Sequence, residues 1–269
     1  MPDRMKPLLV TVLSCKLTRE QRVASAVAQV RSVLGSCDTI VIDGLIGTDS
    51  AVDDLYAGIR GAIQSKRRLT RPEIAVYGTH RMAWRSLLES DSDYALVLED
   101  DFKFSDSALV QRCAESIAAL MSDGRNVIKL FDFPRRNSGG AHIGINVNDI
   151  SLVKWQRPRA GMVAYFISRE GAKRYLARDR IFRAVDEDVK YYWELGLDVW
   201  SVSGNSVAEC SEELGGSSLD EHRENSRRPS ILRSIHGLVL SGSRDVQNRL
   251  AFFRYCKNHG YGLEATNRQ

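Results

Sequence analysis

The fold is decided by the stretch Tyr94-Ala95-Leu96-Val97-Leu98-Glu99-Asp100-Asp101, in which an apolar run ends in three consecutive carboxylates. An uninterrupted aliphatic run of this length is typical of a strand that is buried on both faces of a sheet. Three adjacent carboxylates repel one another and lose hydration, so a cation is the simplest way to keep them together. The stretch therefore predicts a central strand with a metal site at its carboxyl end. A solvated turn after the strand is the alternative.

The spacing of the three carboxylates indicates which of them act together. Glu99 and Asp101 are two residues apart, so on an extended chain they project to one side, and Asp100 projects to the other. Two oxygen donors on one side suit a hard cation such as Mg²⁺ or Mn²⁺ that carries a diphosphate.

Around this stretch, short apolar runs alternate with segments of helical periodicity. The predicted strands are residues 8–13, 39–42, 127–131, 161–168 and 198–202. Such alternation predicts an α/β fold with a largely parallel sheet and functional groups at the carboxyl ends of its strands. No G-x-G-x-x-G or Walker sequence follows the first strand, so neither a dinucleotide site nor a P-loop is supported.

Several helix starts and one loop are also predicted. Thr18-Arg19-Glu20-Gln21 and Thr70-Arg71-Pro72-Glu73 both fit a capping box, and Ser105 is a candidate cap for the helix after the acidic stretch. Residues 137–148 are rich in Gly and Asn and predict a loop over the site.

Composition and charge exclude several classes of protein. No apolar run approaches the roughly 18 residues of a membrane span, and no secretory pattern follows Met1, so a soluble cytoplasmic protein is expected. The five cysteines are far apart and are expected to be reduced and structural. The formal charge is only +4, while residues 223–269 alone carry nine Lys/Arg against three Asp/Glu. A basic excess confined to the tail argues against nucleic acid as a partner.

The tail is predicted to be a unit of its own, with a catalytic domain over residues 1–222 and an amphipathic tail over 223–269. Its arginines are interleaved with Ile, Leu, Val and Phe, so a helix there would have a basic and an apolar face. Such a helix can lie on an anionic membrane surface. The alternative is that its apolar face packs on the catalytic domain and its arginines are solvated.

Several motifs together resemble glycosyltransferase family 25, the lipopolysaccharide-type galactosyltransferases. The resemblance is carried by residues 69–74 with His80 and Trp84, by Leu98 to Asp101, by residues 161–172 and by Val185-Asp186, and Asp43-Gly44 is similar to an early Asp-Gly step of the family. It covers roughly residues 8–205. The chain departs from the family pattern at Arg71-Pro72, where a glycine is common before the glutamate, and at Thr79, where a serine is common.

The resemblance implies a GT-A type fold and an inverting transfer of a sugar, often from UDP-galactose, to a glycan or glycolipid acceptor. It implies Asp101 as metal ligand and Glu99 as a contact to the metal or the donor ribose, with Mn²⁺ or Mg²⁺ as cofactor. Other residues expected near the donor are Asp43, Glu73, His80 and Asp100. For Glu73 and His80, a helix cap and a core histidine are the alternatives.

Two roles stay open at this point. Asp186 and Asp188 compete as the base that takes the acceptor proton, and Asp186 ranks first because it matches the family motif; a charged start of a helix is the alternative. His222 and His236 are candidates for a third metal ligand.

Two other functions compete with a glycosyltransferase. A metal-dependent phosphoryl or nucleotidyl transferase would also use an acidic strand end, although it lacks a phosphate-binding glycine loop here. A noncatalytic carbohydrate-binding protein could retain the same fold.

Overall fold

The computed structural model describes residues 7–134, 140–210 and 231–261. The strands are β1 Leu9–Cys15, β2 Asp38–Gly44, β3 Tyr94–Glu99, β4 Phe102–Phe104, β5 Val127–Lys129, β6 His142–Val147, β7 Ile150–Trp155, β8 Ala164–Ser168, β9 Val199–Val202 and β10 Val207–Glu209. The helices are α1 Glu20–Leu34, α2 Ala51–Leu55, α3 Gly58–Gln64, α4 Arg71–Glu89, α5 Ser107–Glu115, α6 Ile117–Leu120, α7 Arg169–Leu176, α8 Val185–Asp188, a 3₁₀ helix Val189–Glu194 and α9 Ile231–Asn258.

Eight strands form one sheet in the order β2-β1-β3-β8-β5-β9-β7-β6, and β4 pairs with β10 in a small second sheet. Only β7 and β8 run against the direction of the other strands of the large sheet. The prediction of an α/β, Rossmann-like, mostly parallel sheet flanked by helices is confirmed.

The central strand β3 is buried on both faces, as its sequence predicts. Leu96 and Leu98 lie in a core shared with α1 and α5, and Ala95 and Val97 lie in a core shared with α4 and α7. Because successive side chains of a strand alternate between faces, an apolar run at every position is what two covered faces require.

The hairpin of β6 and β7 replaces part of the loop that the sequence predicts over residues 137–148. The loop is wrong from His142 onward, and residues 137–139 lie outside the described residues. Asn148 and Asp149 have φ of 48° and 61°, which is the backbone of a two-residue type I′ turn. Asn and Asp tolerate that conformation, so this pair was a turn signal inside a segment poor in periodicity.

Two of the three predicted helix starts differ in the structure. The Thr70 capping box is present with both of its hydrogen bonds. The Thr18 box is wrong, since α1 begins after Arg19 and has no side-chain cap. Asp106, rather than Ser105, caps α5 by accepting from the amide of Leu109 at 2.9 Å.

The tail contains the long helix α9, which packs partly on the α/β core. Phe252 and Cys256 are buried in the core that holds Leu96 and Leu98. The predicted boundary at residue 222 lies outside the described residues. In the part of the chain that the structure covers, no helix has both the length and the apolar character of a membrane span.

Candidate active site

The site lies at the edge of the large sheet where β1, β2, β3 and β5 end. Because β8 runs the other way, its amino end comes to the same edge, and the amide of Glu99 donates to the carbonyl of Val163 at 2.8 Å. Ends of parallel strands leave backbone and side-chain groups free at one edge, which is where open α/β sheets bind ligands.

Residues at the start of α1 and just before it hold the two aspartates that follow β3. Thr18 donates its hydroxyl hydrogen to Oδ2 of Asp100 at 2.7 Å. Arg22 lies 2.7 Å from Oδ1 of Asp100 and 3.1 Å from Oδ2 of Asp101. Oδ1 of Asp101 is buried and accepts no hydrogen bond from the described residues. A buried carboxylate oxygen without a partner is costly, so this atom is suited to binding a cation.

Negative charge accumulates around Glu99 without full compensation. Burial, followed by the charges of Asp186, Glu209 and Asp100, raises the pKa of Glu99 to about 8, against a smaller opposing effect of Arg22. Burial and the charge of Glu99 raise the pKa of Asp101 to about 7. The Glu99 side chain keeps 27% exposure, so its carboxylate is recessed and reachable from solvent. Raised carboxyl pKa values in a cleft are characteristic of functional sites.

A chain of buried side chains connects Glu99 to the core. The indole of Trp84 donates to the hydroxyl of Tyr165 at 2.8 Å, that hydroxyl lies 3.0 Å from Nδ1 of His80, and Nε2 of His80 lies 3.3 Å from Oε1 of Glu99. Burial lowers the pKa of His80 to about 4, so the ring is neutral near pH 7. The arrangement that satisfies all four groups has Tyr165 donating to Nδ1 and Nε2–H donating to Glu99. His80 is thus both buried and in contact with a site carboxylate.

Asp186 faces the same cluster from α8. Its Oδ1 accepts from the amide of Gly161 at 3.1 Å. Gly161 has φ of 110°, and a Cβ there would lie 2.9 Å from the ring of Phe131, so only glycine fits. The buried ammonium of Lys129 donates to the carbonyls of Arg159 at 2.8 Å and Ala160 at 3.1 Å, which fixes the segment that presents this amide.

Asp188 points away from the cluster, because residues two apart on a helix diverge by about 200°. It is fully buried, accepts from the hydroxyl of Tyr77 at 2.6 Å, and forms ion pairs with Arg178 and, at 3.5 Å, with Arg183. Its oxygens are occupied by structural contacts.

The remaining candidates lie on three other elements, α4, β2 and α9. Burial would raise the pKa of Glu73, but hydrogen bonds from Arg67 and Thr70 outweigh it and lower the value to about 2. Asp43 is exposed at the end of β2. Nε2 of His236 lies 2.8 Å from the carbonyl oxygen of Ile63, and His236 forms no ion pair or hydrogen bond with Glu99 or Asp101. His222 lies outside the described residues.

The departures from the family pattern are accommodated locally. Thr79 accepts the amide hydrogen of Leu45 at 3.1 Å through its hydroxyl, which a serine would also supply. Arg71 donates to the carbonyls of Gly47 at 2.6 Å and Asp49 at 3.0 Å and so ties α4 to the segment after β2.

The donor set fits a divalent cation bound by few protein ligands. Within residues 7–134, 140–210 and 231–261, no three His, Cys, Asp or Glu side chains are arranged to hold a metal ion. Mg²⁺ commonly binds through one or two carboxylates and completes its shell with water and substrate phosphates. The unpartnered oxygen of Asp101 and the recessed carboxylate of Glu99 have the chemistry for that role.

Sequence reasoning missed Arg22, Glu209, Lys129 and Tyr165. Arg22 carried a weak signal, since the first turns of a helix that follows β1 lie at the functional edge of the sheet. Glu209 belongs to β10, and the amide of the next residue, Cys210, donates to the carbonyl of Asp101 at 2.8 Å. No pattern in the sequence indicates that pairing.

Comparison with known proteins gives one family and several solved structures of low similarity. A family model described as glycosyltransferase family 25 (LPS biosynthesis protein) matches residues 5–188. No curated protein matches significantly. Among solved structures, the chain is similar to a CMP:2-keto-3-deoxy-manno-octonic acid synthetase complexed with CTP, with 9% identity, coverage of 82% of this chain and 98% of that one, and a TM-score of 0.41.

Two further solved structures show a similar degree of resemblance. One is mannose-1-phosphate geranyltransferase from Thermus thermophilus, with 10% identity, 74% coverage of each chain and a TM-score of 0.37. The other is a glycosyltransferase involved in glycosylation of the major capsid of PBCV-1, with 11% identity, coverage of 81% and 99%, and a TM-score of 0.35. These similarities are too distant to bear on function.

Proposed function

The chain belongs to glycosyltransferase family 25, a family of lipopolysaccharide biosynthesis proteins, and on that premise we propose that it transfers a hexose, with galactose as the first candidate, from a UDP-sugar to a hydroxyl of a glycolipid or surface polysaccharide. Transfer occurs with inversion at the anomeric carbon. The bond from that carbon to the diphosphate breaks, the acceptor oxygen takes its place, and the acceptor proton is removed by a carboxylate.

The observation that carries the proposal is the uncompensated negative charge around Glu99. A nucleoside diphosphate is itself an anion and would be repelled by the carboxylates of Glu99 and Asp101 alone. We assign Asp101 and Glu99 as the ligands of Mg²⁺ or Mn²⁺, which stabilises the charge on the departing diphosphate when it is bound. His80 orients the Glu99 carboxylate through Nε2.

We assign Asp186 as the base. The amide of Gly161 holds its Oδ1, which leaves Oδ2 to take the acceptor proton. Asp188 is the less suitable carboxylate, because Tyr77 and Arg178 engage both of its oxygens.

Calorimetry with UDP tests the metal assignment. We expect UDP affinity to rise with Mn²⁺ in the wild-type chain, and Asp101→Asn to lose most of that rise, since an amide is a poorer ligand for a hard cation. Asp123→Asn, at an exposed aspartate, is the matched control. Equal UDP affinity with and without Mn²⁺ in the wild type would reject the assignment.

A screen of nucleotide sugars with Mn²⁺ tests the reaction itself. Release of UDP that depends on an added glycan acceptor supports the glycosyltransferase. Heat stabilisation by nucleoside triphosphates and not by UDP-sugars would favour a nucleotidyl or phosphoryl transferase instead. Binding of a glycan without any turnover of nucleotide sugars would indicate a noncatalytic protein.

We also propose that the acceptor is reached at an anionic membrane surface. α9 buries one face and leaves large apolar side chains exposed on the other, and α3 adds two more beside its first half. The exposed side chains are Ile59, Ile63, Ile235, Leu238, Val239, Val246, Leu250 and Phe253. His236 joins the two helices through the carbonyl of Ile63. Apolar side chains flanked by arginines are the composition that binds such a surface.

Cosedimentation with anionic vesicles tests this contact. We expect the double variant Leu238→Ser, Val239→Ser to bind less than the wild type, and high salt to weaken both. Because these two side chains are 73% and 64% exposed, their replacement should leave the fold intact. Absence of wild-type binding at low salt would reject the membrane contact and leave the transfer reaction unaffected.

A further inference from the structure

Arg22 is the cation of the acidic site, and it contacts two carboxylates through a single nitrogen. It lies in the first turn of α1, and its Nη2 is 2.7 Å from Oδ1 of Asp100 and 3.1 Å from Oδ2 of Asp101. A guanidinium has five N–H donors in one rigid plane. Two contacts through Nη2 therefore leave the donors of its other nitrogens available.

One of these other nitrogens is open to a ligand. Nε is buried and has no hydrogen-bond partner among the described residues. Nη1 also forms no hydrogen bond or ion pair within the described residues, but it is not buried, and the Arg22 side chain keeps 19% exposure. The guanidinium is thus held by the protein at Nη2 and exposes charged N–H donors at Nη1.

Asp100 fixes the guanidinium in this orientation. Thr18 donates its hydroxyl hydrogen to Oδ2 of Asp100 at 2.7 Å, and Arg22 contacts Oδ1, so the protein engages both oxygens of this carboxylate. Ordering a long side chain opposes binding when the ligand itself must bring it about. Because Asp100 already orders Arg22, a ligand that binds at Nη1 does not bear that cost.

Arg22 and a cation at the metal site would lie against the same carboxylate. Arg22 contacts Oδ2 of Asp101, and the unpartnered Oδ1 of Asp101 is the atom suited to a cation. A diphosphate has oxygens on two phosphorus atoms, so it can contact a metal ion and a neighbouring guanidinium at the same time. Arginine is well suited to the second contact, because its planar fork matches the geometry of phosphate oxygens.

We infer that Arg22 is a donor-binding residue, whose Nη1 donates to the diphosphate of the nucleotide sugar. The inference rests on the proposed function for the identity of this ligand. When the bond from the anomeric carbon to the diphosphate breaks, its electron pair stays on the diphosphate oxygen. A fixed guanidinium stabilises the negative charge that develops there, and Arg22 takes up no proton.

Calorimetry on the full chain tests the inference with two ligands, inorganic diphosphate and UDP, each with Mn²⁺. Arg22→Gln should weaken the binding of both about tenfold or more, because it removes a charge-assisted hydrogen bond. It should not weaken the binding of Mn²⁺ alone, since it removes a cation and leaves Asp101 in place. Arg31→Gln removes the same charge from an exposed position near the other end of α1 and should leave all three affinities unchanged.

Three results would overturn the inference. These are unchanged affinity for both ligands in Arg22→Gln, equal weakening by Arg22→Gln and Arg31→Gln, and no saturable binding of either ligand to the wild type. A loss of Mn²⁺ binding in Arg22→Gln as large as the loss of diphosphate binding would also overturn it, because Arg22 would then only organise the aspartates. If Arg22→Gln alters the circular dichroism spectrum, Arg22→Lys replaces it, which keeps the charge but lacks the fork and should also weaken both ligands.

The two ligands separate this inference from the proposed function. A wild type that binds diphosphate but not UDP would reject the UDP-sugar donor and leave the assignment of Arg22 to a diphosphate intact. UDP binding that depends on Mn²⁺ and is unchanged in Arg22→Gln would reject the role of Arg22 alone.

Discussion

Asp186 and Asp188 stand two residues apart on one short helix, and the structure gives them opposite surroundings. Asp188 is enclosed by Tyr77, Arg178 and Arg183, which neutralise it. Asp186 accepts from one backbone amide and has no ion pair within the described residues, and its charge helps to raise the pKa of Glu99. Compensated burial makes a structural contact, whereas uncompensated charge at a sheet edge makes a site that a ligand completes.

The largest effect that follows from this comparison is on the reaction rate. Asp186→Ala should lower transfer about 100-fold to 10,000-fold, the usual cost of losing a positioned base, while UDP with Mn²⁺ still binds. Single-turnover transfer to acceptor, measured beside UDP affinity, checks it. If Asp186→Ala transferred the sugar at a near wild-type rate, another residue would have to be the base.

The neighbouring substitution should act on stability instead. Asp188→Ala should lower the free energy of unfolding by about 3 kcal/mol, since removing one partner of a buried ion pair leaves buried charge behind. Glu194 keeps the loss near the lower end, because it also pairs with Arg178 and Arg183. Urea unfolding of both variants measures the difference. If Asp186→Ala and Asp188→Ala lost equal stability, the contrast between the two sites would be wrong.

The sequence could predict features that depend on residues close together in the chain, but not contacts between residues that are far apart in it. The apolar run of β3, the α/β alternation and the Thr70 capping box are local patterns, and the structure has all three. The partners of the acidic residues are remote: Tyr77 lies 111 positions from Asp188, and Thr18 lies 82 positions from Asp100. A period or a spacing indicates which residues share a face, but not which distant side chain neutralises them.

The next effect is a dependence of the stability of the metal-free protein on pH. The pKa of Glu99 is about 8 in the fold against an ordinary 4.5, so in that range the folded state keeps a proton that the unfolded state releases, and stability falls as pH rises. His80, with its pKa lowered to about 4 from 6.5, has the opposite effect below pH 6.5. The effect of Glu99 is therefore best measured between pH 6.5 and 8, where His80 does not oppose it.

Urea unfolding in EDTA over that window measures it. Glu99→Gln should flatten the decline, and Glu89→Gln, at an exposed position, should not. Asp101 has a pKa of about 7, so its titration should leave part of the decline of stability with pH in both variants. A wild-type stability that rises from pH 6.5 to 8 would contradict the raised pKa of Glu99 and with it the description of the site as uncompensated.

The smallest effect concerns the hydroxyl that joins the compensated core to the acidic site. Tyr165→Phe removes the group between Trp84 and His80 and leaves a buried donor and a buried ring nitrogen without partners, at a cost of about 1–3 kcal/mol. Tyr175→Phe is the matched control, because the Tyr175 hydroxyl is buried in the same core and has no partner among the described residues. Urea unfolding of the two variants should therefore differ although both remove one oxygen from a buried ring.

Nitrogen chemical shifts of His80 give a second measurement: the wild-type ring should carry its hydrogen on Nε2, toward Glu99. A hydrogen on Nδ1, or equal stability losses in the two variants, would mean that the Tyr165 hydroxyl does not orient His80 toward the site.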